Sequence, residues 1–172
     1  MRISQKGLDV IMHFESLHDG DLTKIGLQPK KDPAGIWTVG YGHALQDTDK
    51  SWLKGDTGHQ KIYKIYPQYL NMTEAQADAL LISDLSYYEP RINGLNLDLS
   101  QQEFDAILSF SYNVGVTAFK KSTLCRRIKN REGDIKEAFL MWTKAGGVIL
   151  PGLTRRRNTE ATLFLTGNLA FA

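Results

Sequence analysis

The sequence has 172 residues, of which 42% are hydrophobic and 23% charged, as is ordinary for a globular protein built around a buried core. Its formal net charge of +2 is too small to indicate nucleic-acid binding, although a weakly positive balance favours approach to an anionic polymer. A single cysteine, Cys125, excludes an intrachain disulfide, and the four histidines show no spacing typical of metal ligands.

The N-terminal segment predicts neither a signal peptide nor a membrane span. Polar residues at positions 4, 5, 6 and 9 interrupt any apolar run. No stretch of the chain approaches the length needed to cross a bilayer. We therefore expect a protein that is made and held in the cytoplasm, with no stable insertion into a membrane.

Residues 3–17 predict an amphipathic helix that carries a carboxyl group on its apolar side. At 100° per residue the apolar residues fill one broad sector, and Glu15 falls inside it, four residues after Ile11 and three after Met12. A half-buried carboxyl costs free energy to ionise, and a general acid that works near neutral pH needs this property. The alternative is a Glu at the helix end that simply turns to water.

Residues 32–43, DPAGIWTVGYGH, predict a turn followed by a short strand. Asp-Pro-Ala-Gly is typical of turns, because Pro fixes φ and Gly allows a left-handed position. Residues 36–41 then alternate, which places Thr38 on the opposite face of the strand from Trp37. Asp32 would thus lie at a turn with Thr38 on the strand that leaves it. The alternative is a hairpin with a buried Trp and no chemistry.

The segments on either side predict less regular structure. Residues 19–31 suggest a hairpin with one strand at 23–28. Residues 47–59 are polar and contain two glycines, so they indicate a loop. Residues 62–70 are apolar around Pro67 and fit a short helix as well as a strand.

Capping signals predict the helices of the second half. Thr73 with Gln76 is a capping box that opens a long helix, which Pro90 kinks or ends. Ser100 with Glu103 opens another helix. Gly115 ends that second helix, and further helices are predicted at 117–130, 134–144 and 151–165.

A helix Glu, a turn Asp and a strand Thr in the sequence Trp-Thr-Val-Gly-Tyr-Gly-His resemble the phage-type lysozyme (endolysin) family of glycoside hydrolases. Similar blocks follow in the family's order at residues 110–115 (FSYNVG), 122–124 (STL) and 152–160. The resemblance therefore covers most of the chain. The spacing from Glu15 to Asp32 is longer than is usual in the family.

The resemblance implies an α+β fold that is mostly α-helical and lysozyme-like, in a single domain of residues 1–172. A small β-containing N-terminal lobe would occupy about residues 1–72. A long helix at about 73–90 would join it to a helical C-terminal lobe at about 91–172.

The activity that the resemblance implies is hydrolysis of the β-1,4 bond between N-acetylmuramic acid and N-acetylglucosamine in peptidoglycan, which lyses the bacterial host. Glu15 would protonate the leaving oxygen, Asp32 would deprotonate the attacking water, and Thr38 would help to hold that water. The family's inverting mechanism requires the two carboxyl groups to be about 6.5–9.5 Å apart, which leaves room for the attacking water. Weaker candidates for lining the substrate cleft are Tyr41, Phe110 and Asn113.

The last predicted helix contributes a supporting residue. The resemblance places Arg156 against Glu15. Arg156 and Arg157 also precede Glu160 by four and three residues, so ion pairs within the helix are expected. No metal or organic cofactor is implied. The expected partner is the peptidoglycan glycan strand, and the protein is expected to be a monomer. Its release from the host cytoplasm to the periplasmic wall is expected to depend on a phage holin.

Two other functions are compatible with the same fold. A lytic transglycosylase would use Glu15 on the same bond without a water-activating Asp. A non-catalytic wall-binding module would keep the fold and lose the reaction. Asp32 and Thr38 argue against both, because neither function has an evident use for them.

Overall fold

A computed structural model describes residues 1–171, and the elements within them confirm a mostly helical α+β fold. A 3₁₀ turn spans Pro67–Tyr69. The helices are α1 (Gln5–Glu15), α2 (Gly55–Ile65), α3 (Glu74–Asn93), α4 (Gln101–Val114), α5 (Val116–Lys120), α6 (Thr123–Asn130), α7 (Ile135–Leu140) and α8 (Pro151–Thr166). The strands are β1 (Lys30–Lys31), β2 (Trp37–Val39), β3 (His43–Ala44), β4 (Lys144–Ala145) and β5 (Val148–Ile149). None of the helices in the described part of the chain is long and apolar enough to cross a membrane.

The chain divides into two compact units. One unit is the continuous segment of residues 15–84, which holds the three-stranded sheet and α2. The other combines residues 1–14 with the chain from residue 85 onward, and it holds α4 to α8. The first fourteen residues therefore pack with the helical part of the chain.

The smaller unit is organised by an antiparallel sheet in the order β1-β2-β3. In this sheet Thr38 lies opposite Lys30 on one side and Ala44 on the other. The buried apolar cluster of the unit consists of Val39, Leu45, Leu53, Ile62, Met72 and Ala77.

Helix α2 corrects the prediction of a loop at 47–59. The helix begins at Gly55, and Gly58 lies so close to its neighbours that a Cβ would come within 2.9 Å of the Leu53 carbonyl carbon and 3.2 Å of the Trp37 ring. Glycine at 58 therefore lets the helix lie against the sheet, and Ile62 is fully buried one turn later. Tertiary packing outweighs the low helix propensity of the two glycines.

The segment before β1 is a series of turns, so the strand predicted at 23–28 is wrong. The Asp21 carboxylate accepts hydrogen bonds from the backbone N–H and the hydroxyl of Thr23, which closes a local turn. A single bridge joins Leu27 to Met72. The side chain of Asp21 thus satisfies the Thr23 N–H, one of the backbone groups that a strand would have paired.

Both predicted capping boxes are confirmed. The Thr73 hydroxyl accepts from the Gln76 N–H at 3.1 Å, and the Gln76 side chain accepts from the Thr73 N–H at 2.8 Å. Ser100 and Glu103 make the same reciprocal pair at the start of α4. These local signals fix where α3 and α4 begin.

The single helix predicted at 117–130 is wrong in its extent. The chain forms α5 and then α6, because Ser122 leaves the helical conformation and its hydroxyl accepts from the Cys125 N–H at 3.0 Å. Likewise Asp134 caps α7 as predicted, but that helix ends at Leu140. The following residues form the β4–β5 hairpin instead of the helix predicted to 144.

A buried network of charges lies on α8. Glu160 accepts from the Arg156 Nε at 3.1 Å and from the Ser109 hydroxyl of α4 at 2.7 Å, and its second oxygen lies 3.0 Å from the Arg157 Nε. The three charged residues are at most 3% exposed. The predicted ion pairs within α8 are therefore confirmed, and they are part of the core of the helical unit.

Candidate active site

Glu15 is the last residue of α1 and is half-buried. The helix ends there because Ser16 adopts a left-handed backbone conformation with φ of 58°. Gly42 lies beside the carboxyl group, and a Cβ built on it would stand 3.8 Å from the Glu15 Oε2. At 3.8 Å that Cβ would be in ordinary van der Waals contact, and it is the positive φ of Gly42, 86°, that favours glycine at this position.

Asp32 lies in a hydrogen-bonded turn, as predicted. Its Oδ1 accepts the backbone N–H groups of Ala34 and Ile36, both at 2.8 Å. Its own N–H donates to the Ile36 carbonyl at 2.8 Å, and its carbonyl accepts from Gly35 at 2.9 Å. Both side-chain bonds go to Oδ1, and within the described residues Oδ2 receives none. The turn therefore orients the carboxylate and leaves one oxygen to accept a proton.

Thr38 is buried in β2, with 3% of its surface exposed. Its hydroxyl oxygen lies 3.0 Å from the Lys30 carbonyl oxygen and 2.9 Å from the Nδ1 of His18. The backbone N–H of His18 also donates to the Gly40 carbonyl at 2.8 Å, which holds His18 along the end of the same strand. The sequence analysis did not single out His18. Its only signal in the sequence is its position three residues after Glu15.

The charges of two predicted site residues act on the His18 ring. Burial lowers the pKa of His18 below its ordinary value, and the positive charge of Lys30 acts in the same direction. The Glu15 and Asp32 carboxylates oppose this effect by raising the pKa, as does a hydrogen bond to the Glu15 backbone. Both carboxyl groups therefore act on the ring that contacts the Thr38 hydroxyl.

Two further polar pairs support the sheet. The Tyr41 hydroxyl donates to the Asp78 carboxylate at 3.1 Å. Burial and this neighbouring carboxylate raise the pKa of Tyr41 to about 12. The His43 ring pairs with Asp84 at 2.9 Å. Tyr41 is thus held by a specific bond in the same unit as Glu15, and its contact with substrate stays a prediction.

The other candidates lie in the helical unit. Phe110 is fully buried against the rings of Phe119, Phe139 and Trp142, so it cannot line a substrate cleft, and that prediction is corrected. Asn113 is exposed, and its side-chain oxygen accepts from Arg157 at 2.8 Å.

Arg156 is buried in the helical unit. In addition to Glu160, it donates to the Ser109 carbonyl at 3.2 Å, and its guanidinium lies 5.7 Å from the centre of the Phe14 ring. Its support of Glu15 stays a prediction. Among the described residues, no group of three or more His, Cys, Asp or Glu side chains could hold a metal ion.

Comparisons with known proteins give the family. The family model for phage lysozyme matches residues 22–160. The endolysin of Bacillus phage B103 is 33% identical over 171 residues, which is 97% of this chain and 55% of that protein. The chain thus spans about half the length of the Bacillus phage endolysins that it matches.

Solved structures agree with this assignment. The endolysin from Escherichia coli O157:H7 phage FAHEc1 is 30% identical, with a TM-score of 0.75 over 99% of this chain and 97% of that one. The muramidase domain of SpmX from Asticaccaulis excentricus is 32% identical, with a TM-score of 0.72 over 96% of this chain and 98% of that one. The lysozyme-like fold is confirmed, and the chain belongs to the phage lysozyme family.

Proposed function

We propose that this protein is an endolysin that hydrolyses the β-1,4 bond between N-acetylmuramic acid and N-acetylglucosamine in peptidoglycan. The observation that carries the proposal is the convergence of Glu15, Asp32 and Thr38 on the His18 ring within one compact unit. The similarity to phage endolysins and to a muramidase domain supports the choice of polymer and bond.

The first half of the reaction is departure of the leaving sugar. Glu15 in its neutral form donates its proton to the glycosidic oxygen while the bond from that oxygen to the anomeric carbon breaks.

The second half is attack by water on the opposite face of the sugar ring. The Oδ2 of Asp32 takes a proton from the water while the water oxygen bonds to the anomeric carbon. Its Oδ1 is already held by two backbone N–H groups, so the carboxylate is oriented before the water arrives. Attack from the far side inverts the anomeric configuration, and solvent then returns Glu15 to its protonated form and Asp32 to its ionised form.

The mass of the product tests this mechanism against its alternatives. Digestion of purified sacculi should release fragments that end in a reducing N-acetylmuramic acid, about 18 Da heavier than an anhydro end because one water is added. The Glu15→Gln variant, purified in the same way, is the control for contaminating enzymes. Mass spectra dominated by anhydro ends would show a transglycosylase. Binding of sacculi without any soluble product would show a wall-binding module.

We propose further that the protein acts as a monomer that accumulates in the host cytoplasm and reaches the periplasmic wall when a holin opens the membrane. The family resemblance supports this route. Expression in a Gram-negative host should lyse the culture only when a holin is expressed with it, and light scattering of the purified protein should give the mass of one chain. Lysis without a holin would contradict the release route.

A further inference from the structure

The Thr38 hydroxyl has two neighbours at hydrogen-bond distance, and together they restrict where its hydrogen can point. A threonine hydroxyl carries one hydrogen to donate and two lone pairs to accept. The Lys30 carbonyl, 3.0 Å away, can only accept. The Nδ1 of His18, 2.9 Å away, donates in one tautomer of the ring and accepts in the other.

One arrangement makes both contacts hydrogen bonds. The Thr38 hydroxyl donates to the Lys30 carbonyl, and His18 carries its hydrogen on Nδ1 and donates it to the Thr38 oxygen. If Nδ1 carried no hydrogen, the single Thr38 hydrogen would face two acceptors and one of the two hydrogen bonds would be lost. Because Thr38 is 3% exposed, such a loss is costly.

We propose that His18 is a positioning residue that, by donating from Nδ1 to the Thr38 oxygen, leaves the Thr38 hydroxyl with one lone pair and no hydrogen for the attacking water. The proposal rests on the proposed hydrolysis. The water must then donate one hydrogen to Thr38 and the other to the Asp32 carboxylate. Its own lone pair is thereby left for the anomeric carbon.

The surroundings of the ring are consistent with this role. Burial and the charge of Lys30 lower the pKa of His18, against the opposing effects of the Glu15 and Asp32 carboxylates and of a hydrogen bond to the Glu15 backbone, and this lowering favours the neutral ring at neutral pH. A neutral ring carries one hydrogen, and the contact with Thr38 places that hydrogen on Nδ1. The ring acts through Thr38 and needs no contact with the sugar.

The tautomer can be measured directly. In nitrogen-15 correlation spectra of the labelled protein at neutral pH, the bare and the protonated ring nitrogens of His18 have distinct shifts, and the His18→Asn spectrum identifies the residue. We expect hydrogen on Nδ1 and none on Nε2. Hydrogen on Nε2 would overturn the proposal. This measurement needs no activity, so it judges the hydrogen-bond assignment even if the proposed hydrolysis is wrong.

Two amide variants test the effect on the reaction. His18→Asn keeps an N–H group at the position of Nδ1, whereas His18→Gln places its amide where Nε2 was. We expect His18→Gln to lower kcat about tenfold with KM unchanged, and His18→Asn to stay close to the wild type. Equal rates in the two variants, whether both high or both low, would overturn the proposal. A larger change in KM than in kcat would do so as well.

Discussion

The buried carboxylate of Glu160 is expected to hold the helical unit together, and its replacement by Gln gives the sharpest test of stability. Gln has nearly the same shape as Glu and keeps an oxygen that can accept from Ser109 and from the Arg156 Nε. It lacks the negative charge that lies between Arg156 and Arg157. The substitution therefore removes the charge and replaces the oxygen that faces the Arg157 Nε by an amide donor.

The expected loss follows from burial. Glu160 and Arg157 are fully buried and Arg156 is 3% exposed, so the substitution removes from the core the carboxylate that pairs with both guanidinium groups. Removing one partner of a buried ion pair costs about 3–5 kcal/mol of unfolding free energy. The matched control is Glu132→Gln, because Glu132 pairs with Arg126 at 3.2 Å while their side chains are 50% and 61% exposed. Such a surface pair is worth about 0–1 kcal/mol.

Urea unfolding followed by circular dichroism measures both variants against the wild type. The Glu160 variant should unfold at a much lower urea concentration with an unchanged slope, and the Glu132 variant should nearly overlay the wild type. If the two variants lost equal stability, the burial argument would be refuted.

The remaining expectations concern the site in the smaller unit. Glu15→Gln should lower the rate of sacculus clearance at least about 100-fold, because an amide cannot donate the proton, and it should leave the thermal unfolding curve unchanged. If the variant kept more than about a tenth of the activity, Glu15 would not be the acid. Asp32→Asn should also slow clearance strongly, whereas Asp21→Asn in the preceding loop should not. If Asp21→Asn slowed clearance more than Asp32→Asn, Asp21 would be the base. The pKa of Tyr41, raised from 10.0 to about 12, contributes stability that is complete below pH 10 and is lost as the pH rises towards 12. Urea unfolding of Tyr41→Phe should lack that alkaline loss, and an identical pH dependence would show that this phenol is not responsible.

Sequence signals confined to a few neighbouring residues predicted the structure well. A capping box involves only four residues, and both examples, at Thr73 and Ser100, form as expected. The turn at Asp32 is equally local, since its side chain bonds to N–H groups two and four residues later. In each case the polar side chain satisfies backbone groups whose identity the sequence already shows.

Elements that depend on distant contacts were missed. Helix α2 has no side-chain cap at its start, and its sequence contains two glycines. It forms because Gly58 allows close packing against Leu53 and because Ile62 fills the core, and neither contact is visible in the local pattern.

The candidate site likewise contains residues that the sequence predicted and a contact that it did not. The residue types and order of Glu15, Asp32 and Thr38 resemble the phage lysozyme family, and through that resemblance they predict a carboxyl pair with a supporting hydroxyl. The contact between His18 and Thr38 could not be predicted, because the two residues are 20 apart in the sequence. The segment between them was predicted to contain a strand, whereas it forms turns. Phe110 was predicted to line the cleft because a pattern of apolar residues shows which helix face a ring lies on. The pattern does not show how deeply neighbouring side chains bury that ring.

The first fourteen residues pack with the helical unit, so most of the chain must be translated before they meet their partners. The Ser4 N–H bonds to Asp105, and the Lys6 amino group bonds to the Gly167 carbonyl, so these partners are synthesised 101 and 161 residues later. At translation rates of roughly 5–20 residues per second, the second delay is about 10–30 s. Residues 15–84 are continuous and can begin to fold during that time, while the buried face of α1 still lacks its partners. The first fourteen residues therefore reach their final packing only once the last helix has been translated, and chains that stop early should lack this packing.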